Sequence, residues 1–568
     1  MPQILMSNDM NRPILTVEDL TVGFTHRQGI AEVLHGVNFS LYRGKTTCIV
    51  GESGSGKSVT ARTILNMVPR PGVISGGRIL FDPELNGTPK VLTDMDPRGK
   101  EIREIRGARI GMIFQEPMSS LSPVHTIGNQ IIEAIRLHLP VDKAKAREMA
   151  IEALAQVEIP NPETAVDKYA FEFSGGMRQR AMIAMALACK PDVLIADEPT
   201  TALDVTTQAE ILDLMKTLQT EVGMAIMFIT HDMGVVAEIA DEVIVMEKGY
   251  VVERGDIFQI FDAPEHPYTQ KLLGAVRQLD QPAPTKMRPA EAAKEILKVE
   301  NLELRFEKRE GFLNRVTEVT RAVDDVSFSV KEGEALGIVG ESGSGKTTIG
   351  RCIARVYDPQ SGVIDYRGEN IATAQGERLK SMRRDVRMIF QDPFASLNPR
   401  MTVKQIIAEP LITNGIASGS ELDDRVATLL REVGLTPEMM ERYPHAFSGG
   451  QRQRIVVARA IALSPKLVIA DEPTSALDVS IRTQVLDLLL RLQAEMGLSF
   501  VFISHDMAVI RYFCDRVGVM HRGKIVEIGE TNQIIDDPQH PYTKALLSSV
   551  PISHPSQRGT RTRHRYQP

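Results

Sequence analysis

A chain of 568 residues is too long for one compact module, and at roughly 100–200 residues per domain it predicts several. Hydrophobic residues make up 43% and charged residues 24%, a globular balance that excludes disordered, fibrous and collagen-like classes. With 66 Lys and Arg against 73 Asp and Glu, the net charge of −7 disfavours a globally basic nucleic-acid binder. The four cysteines, Cys48, Cys189, Cys352 and Cys514, form no C-x-x-C pair, so a zinc or iron–sulfur site is not expected and a reducing compartment is. The N-terminal stretch lacks a Lys/Arg-led apolar segment. No apolar run approaches the roughly 18 residues of a membrane helix.

In chain order, a short apolar run at Thr47–Val50 predicts a strand, followed at 51–58 by GESGSGKS. The polar, Pro- and Gly-bearing stretch from Asp82 to Gly99 reads as a surface insertion. IFQEP follows at 113–117 and FSGG at 173–176. Strands are predicted at Val193–Ala196 and Ala225–Ile229, with an amphipathic helix at Gln208–Leu218 between them. HPYT at 266–269 closes the series. The Pro-rich segment 278–294 then predicts a linker. Beyond it the series repeats in order: GESGSGKT at 340–347, IFQDP at 389–393, FSGG at 447–450, strands at Leu467–Ala470 and Ser499–Ile503 around a helix at Gln484–Leu492, and HPYT at 540–543. From the serines to HPYT the two copies stay 274 residues apart without a gap. The expected organisation is a first domain at 12–277, the linker, a second domain at 295–552, and a basic tail at 553–568 read as disordered. Alternating strands and helices predict an α/β fold with a mainly parallel core sheet in each copy, and chemistry at the strand C-termini.

G-x-x-x-x-G-K-[ST] needs glycines so that backbone N–H groups can wrap phosphates, a lysine for the β- and γ-phosphates, and a hydroxyl for Mg²⁺. Gly51, Glu52, Ser53, Gly54, Ser55, Gly56, Lys57 and Ser58 satisfy it in the first copy. Gly340, Glu341, Ser342, Gly343, Ser344, Gly345, Lys346 and Thr347 satisfy it in the second. Asp197–Glu198 and Asp471–Glu472 each end an apolar strand; the first acid suits Mg²⁺ and the second the attacking water. His231 and His505 both fall 33 residues after those glutamates, where an imidazole can meet the γ-phosphate. Gln115 and Gln391 offer neutral amides to Mg²⁺ or water. Ser174, Gly175, Gly176 and Met177, with Ser448, Gly449, Gly450 and Gln451, each open a helix with a serine cap and exposed backbone donors, a second phosphate device.

The ordered set GESGSGK[ST], IFQ[ED]P, FSGG[MQ]RQR, IADEPT, ALD and [TS]HDM resembles the ATP-binding cassette of ABC transporters, in two copies that cover nearly the whole chain. The segments EHPYTQKLL and QHPYTKALL are similar to the C-terminal extension of dipeptide and oligopeptide importer ATPases, so the chain looks like a fusion of two such subunits. The resemblance implies an ATPase with ATP and Mg²⁺. It implies tandem P-loop cassettes, each with a helical subdomain carrying the Ser-Gly-Gly signature, paired head to tail so that each ATP meets one cassette's loop and the other's signature. Asp204 and Asp478 would lie across that interface, and Phe24 and either Phe306 or Phe312 would sit under adenine. The implied partners are two membrane permease subunits, docking beyond Gln115 and Gln391, and a peptide-binding protein outside. The implied place is the cytoplasmic face of a bacterial inner membrane. Relatives of the first subunit often carry a cysteine cluster after HPYT; no cysteine lies between Cys189 and Cys352, so no iron–sulfur cluster is expected. The alternative is a tandem-cassette ATPase acting on ribosomes, against which stand the short linker and both HPYT segments.

Overall fold

The structure, a computed structural model, describes residues 12–566 apart from 28, 117–119, 202, 280, 284–291, 311–314, 476, 561 and 565. The chain forms two compact units, residues 1–203, 207–274 and 551–561 in one and 204–206, 275–550 and 562–568 in the other. Much of the predicted linker lies outside the described residues.

The strands of the first unit are β1 (Pro13–His26), β2 (Gly29–Tyr42), β3 (Thr46–Val50), β4 (Gly72–Phe81), β5 (Lys90–Val91), β6 (Ile110–Ile113), β7 (Val193–Asp197), β8 (Ala225–Thr230), β9 (Glu242–Glu247) and β10 (Tyr250–Asp256). A six-stranded sheet runs β10-β9-β3-β8-β7-β6, parallel from β9 to β6 with only the β10 edge antiparallel. Every residue of β3, β7 and β8 is buried, which is why these stretches read as unbroken apolar runs: both faces of a parallel sheet are covered. A four-stranded antiparallel sheet, β2-β1-β4-β5, lies over it. Ile14, Val17, Leu34 and Ile79 from that sheet share one apolar core with Ile49, Ile195 and Ile229 and with Ala61 and Ile64 of the helix Lys57–Ile64.

The mainly parallel core sheets are as expected; the antiparallel sheets are additional to the sequence reading. The β1–β2 register shifts between Val17 and Leu20 and again up to Gly23, and such bulges break the strict apolar–polar alternation by which a half-buried strand is recognised.

The second unit repeats the plan with β11 (Glu295–Glu310), β12 (Arg315–Lys331), β13 (Ala335–Val339), β14 (Ser361–Tyr366), β15 (Glu369–Asn370), β16 (Val386–Ile389), β17 (Leu467–Asp471), β18 (Ser499–Ile503), β19 (Arg516–His521) and β20 (Lys524–Glu530). Its sheets run β16-β17-β18-β13-β19-β20 and β12-β11-β14-β15. One face of the core sheet packs on the antiparallel sheet, and the other, through Phe500 and Phe502, on helices including Val479–Met496 and Met507–Phe513. The helical subdomains comprise Ile127–His138, Lys143–Gln156 and Gly175–Leu187 in the first unit and Val403–Thr413, Gly419–Glu432 and Gly449–Ile461 in the second. Thr126 and Asp142 cap their helices by accepting the N–H groups of Asn129 and Lys145.

The expectation of a disordered tail fails for Ser553–Thr560. Arg558 donates from Nε to the Ala237 carbonyl at 2.6 Å and from its other nitrogen to the Ala240 carbonyl at 2.7 Å, capping the end of the helix Met233–Ile239 in the first unit. His554 adds a 2.9 Å contact to Asp262, and Ile552 is buried. A charge run is solvated only where no helix end offers it carbonyls.

Candidate active site

The strand order places the sequence-predicted residues side by side. In the first unit the phosphate loop follows β3, His231 follows β8, Asp197 and Glu198 end β7, and Gln115 follows β6. Four neighbouring parallel strands therefore deliver their C-terminal ends to one rim, the place where open α/β sheets bind ligands. Ser58 Oγ donates to Asp197 Oδ1 at 2.9 Å, Gln115 Nε2 donates to Glu198 Oε2 at 3.0 Å, and His231 Nδ1 lies 3.4 Å from Glu198 Oε1. The second unit reproduces the set: Thr347 to Asp471 at 2.9 Å, Gln391 to Glu472 at 2.9 Å, and His505 to Glu472 at 3.1 Å.

The loops are built for an anion. Gly56 and Gly345 cap their helices in the left-handed conformation, at φ 100° and 104°, and a Cβ on Gly345 would meet the Ala322 carbonyl at 2.0 Å. Lys57 is buried and donates to the carbonyls of Gly51 and Glu52 at 2.7 and 2.9 Å; Lys346 does the same to Gly340 and Glu341, both at 2.7 Å. Burial pushes the Lys346 ammonium down from its ordinary pKa, against the opposing pull of the Glu472 and Asp471 carboxylates.

The two acids of each pair are pushed apart. Burial raises Asp197, and raises Asp471 to about 6, beside their hydroxyl partners. Burial opposes ionisation of Glu198 too, but the bond and charge of His231, with Thr201 and Lys57, outweigh it and hold the carboxyl down at about 2. Glu472 is lowered likewise through His505, whose own pKa is raised by that bond against its burial. Glu198 and Glu472 also sit at φ 48° and 45°, a conformation that costs a non-glycine residue about 1 kcal/mol or more and clusters at functional sites.

Ser174–Met177 and Ser448–Gln451 are absent from these bonds. Each opens its own helix, Gly175–Leu187 or Gly449–Ile461, with the serine hydroxyl accepting the N–H of Met177 or Gln451. A Cβ on Gly176 would strike Thr207 at 2.6 Å, and one on Gly450 would strike Ile481 at 2.4 Å, so the second glycine is demanded by packing. A Cβ on Gly175 would meet nothing within 4 Å and one on Gly449 only Leu477 at 3.6 Å, so the space beside the first glycine is open.

Over residues 34–201 and 323–475 the sequence matches the ABC transporter family, and over 252–304 and 526–568 the C-terminal region of oligopeptide/dipeptide transporters. It is 50% identical over 566 residues to the glutathione import ATP-binding proteins GsiA of Escherichia coli K12 and of Shigella boydii, matching 96% of this chain and 90% of each relative. The chain belongs to the ABC transporter family. It is a tandem-cassette ATPase of the oligopeptide/dipeptide type. A solved dimeric cassette in a post-hydrolysis state, bound to ADP and Pi, is 30% identical with a TM-score of 0.38, matching 41% of this chain and 98% of its own.

Phe24 stands two residues beyond buried Val22 on β1, and Phe306 two beyond buried Leu304 on β11. That equivalent register favours Phe306 as the counterpart of Phe24; its ring is 44% exposed and meets Tyr357 edge-on at 5.6 Å. Phe312 lies outside the described residues. Sequence reasoning passed over Thr201, whose hydroxyl donates to Glu198 Oε2 at 3.0 Å. Its place three residues after the glutamate, in a turn of ADEPTT, was the available signal.

Proposed function

We propose that the chain powers import of small peptides, glutathione among them, through two composite ATP sites. One site takes Lys57, Ser58, Gln115, Asp197, Glu198 and His231 with Ser448–Gln451; the other takes Lys346, Thr347, Gln391, Asp471, Glu472 and His505 with Ser174–Met177. The observation that carries this reading is that each cassette owns a complete loop cluster and, on a separate element outside it, a serine-capped helix start. The peptide class rests on both C-terminal regions and on relatives named for glutathione import. Those regions also favour transport over a ribosomal role.

The hydroxyl–carboxylate pairs Ser58–Asp197 and Thr347–Asp471 supply hard oxygen donors that fit Mg²⁺, with Gln115 and Gln391 adjoining. Bound there, Mg²⁺ neutralises phosphate charge. Glu198 and Glu472, held ionised, accept a hydrogen bond from the attacking water, while His231 and His505 orient them. Phe24 and Phe306 stack on adenine.

Among the described residues no helix is long and apolar enough to cross a membrane, so the transport path belongs to partners. Two integral membrane permease subunits fit, with this chain docked on them at the cytoplasmic face of a bacterial inner membrane and a peptide-binding protein outside. Support comes from the surface beyond Gln391: a groove of about 360 Å³ lined by Phe390, Glu409 and Arg459, and Phe394, 59% exposed, on the helix Pro393–Ser396.

The test is to purify the tagged chain from gently solubilised native membranes and identify its companions by mass spectrometry. Two polytopic membrane proteins are expected, and the reconstituted assembly should take up labelled glutathione only with ATP. Ribosomal proteins with nothing membrane-embedded would sink the transport reading.

A further inference from the structure

We infer that Tyr268 and Tyr542, the tyrosines of the two HPYT segments, are positioning residues that hold the phosphate loops ready for ATP. In the first unit the Tyr268 hydroxyl accepts the backbone N–H of Glu52 at 2.8 Å, across 216 residues of sequence. In the second the Tyr542 hydroxyl accepts that of Glu341 at 3.1 Å, across 201 residues. Each partner is the second residue of its G-x-x-x-x-G-K loop.

The rest of the segment serves to aim the ring. Glu253, on β10, accepts the N–H groups of Glu265 and His266 at 2.7 and 3.0 Å. His266 Nδ1 in turn accepts the N–H of Tyr268 at 3.2 Å, where Pro267 starts the helix Pro267–Leu279. Glu527, on β20, does the same for Gln539 and His540 at 2.8 and 3.1 Å, and His540 Nδ1 for Tyr542 at 3.1 Å. Both tyrosines are buried, at 7% and 1% exposure, so a side chain with two torsions has little freedom left.

The consequence falls on the first turn of the loop. Gly51 is pressed against β9, where a Cβ would lie 2.2 Å from the Met246 carbonyl. Lys57 holds the carbonyls of Gly51 and Glu52, and Tyr268 holds the Glu52 N–H. With the Glu52 peptide unit tied at both its N–H and its C=O, ordering the loop is accomplished before nucleotide arrives, and binding does not have to supply it. The copies are not identical in the side chains around the loop. Lys271 Nζ lies 3.3 Å from Glu52 Oε1, whereas the matching position on the second extension is Ala545, without a charge.

The inference rests on the loops being ATP sites, and its test keeps the two apart. In the full-length chain, Tyr268→Phe and Tyr542→Phe keep the ring and remove the hydroxyl. The expected result is a KM for ATP raised about three- to tenfold, the worth of one net hydrogen bond, with kcat changed less than about twofold. Melting temperatures should fall by no more than about 2–4 °C, the cost of one net hydrogen bond in a large domain. Independently of any variant, the amides of Glu52 and Glu341 in the nucleotide-free wild type should exchange slowly with deuterium. Wild-type KM in both Phe variants, or fast exchange at both amides, overturns the inference. A wild-type chain that binds no ATP overturns the site reading on which it stands.

Discussion

The two proposed phosphate devices of each cassette are duplicated with different fidelity. The loop clusters agree closely: the hydroxyl–aspartate bond is 2.9 Å in both, the glutamine–glutamate bond 3.0 and 2.9 Å, and the histidine–glutamate contact 3.4 and 3.1 Å. The signature helices agree less. Gln451 returns its side-chain oxygen to the Ser448 N–H at 3.1 Å and completes a capping box, while Met177 has no oxygen to return. Groups that must meet a reacting phosphate tolerate little displacement. A helix start that presents backbone donors is satisfied by a serine and glycines alone, leaving its third residue free to vary.

Three experiments would break or sharpen that comparison. Glu198→Gln together with Glu472→Gln should lower ATPase turnover about 10²-fold or more while ATP binding persists, measured by phosphate release and nucleotide titration. The single variants then decide whether matched geometry means matched turnover: equal losses support equivalence, and one silent variant would show that the difference at the signatures matters. Next in size, Arg558→Ala should loosen the helix after His231 by about 1–2 kcal/mol, the loss of charge-assisted bonds to its last carbonyls, read as faster exchange across 233–240. Exchange unchanged there would make that contact incidental. Smallest, Met177→Gln should slow exchange at the start of its helix by about 0.5 kcal/mol, and Gln451→Met should lose about as much. An inert pair of variants would mean that the reciprocal bond contributes nothing in solution.

The core strands and the loop residues were legible because their signals are local. Fully buried parallel strands leave apolar runs, and G-x-x-x-x-G-K is contiguous. Helix bounds were read short, Gln208–Leu218 against Val205–Val222, because the polar ends of a long helix carry no apolar period. The antiparallel sheets were missed through their bulges. The tail was misread because its partner carbonyls, on Ala237 and Ala240, lie more than 300 residues away.

By itself the sequence determined the twofold repeat, the α/β class, the phosphate loops and the acids, since each is a pattern of neighbours along one chain. Only the tertiary structure decided that β3, β8, β7 and β6 lie side by side. That order brings Lys57, His231, Glu198 and Gln115 to one rim although they span 174 residues. It also decided the left-handed glutamates, the matching register of Phe24 on β1 and Phe306 on β11, and the bond from each HPYT tyrosine to its loop. Strand order, register and a hydroxyl's aim are set by how buried surfaces fit together, and spacing along the chain carries no record of that fit.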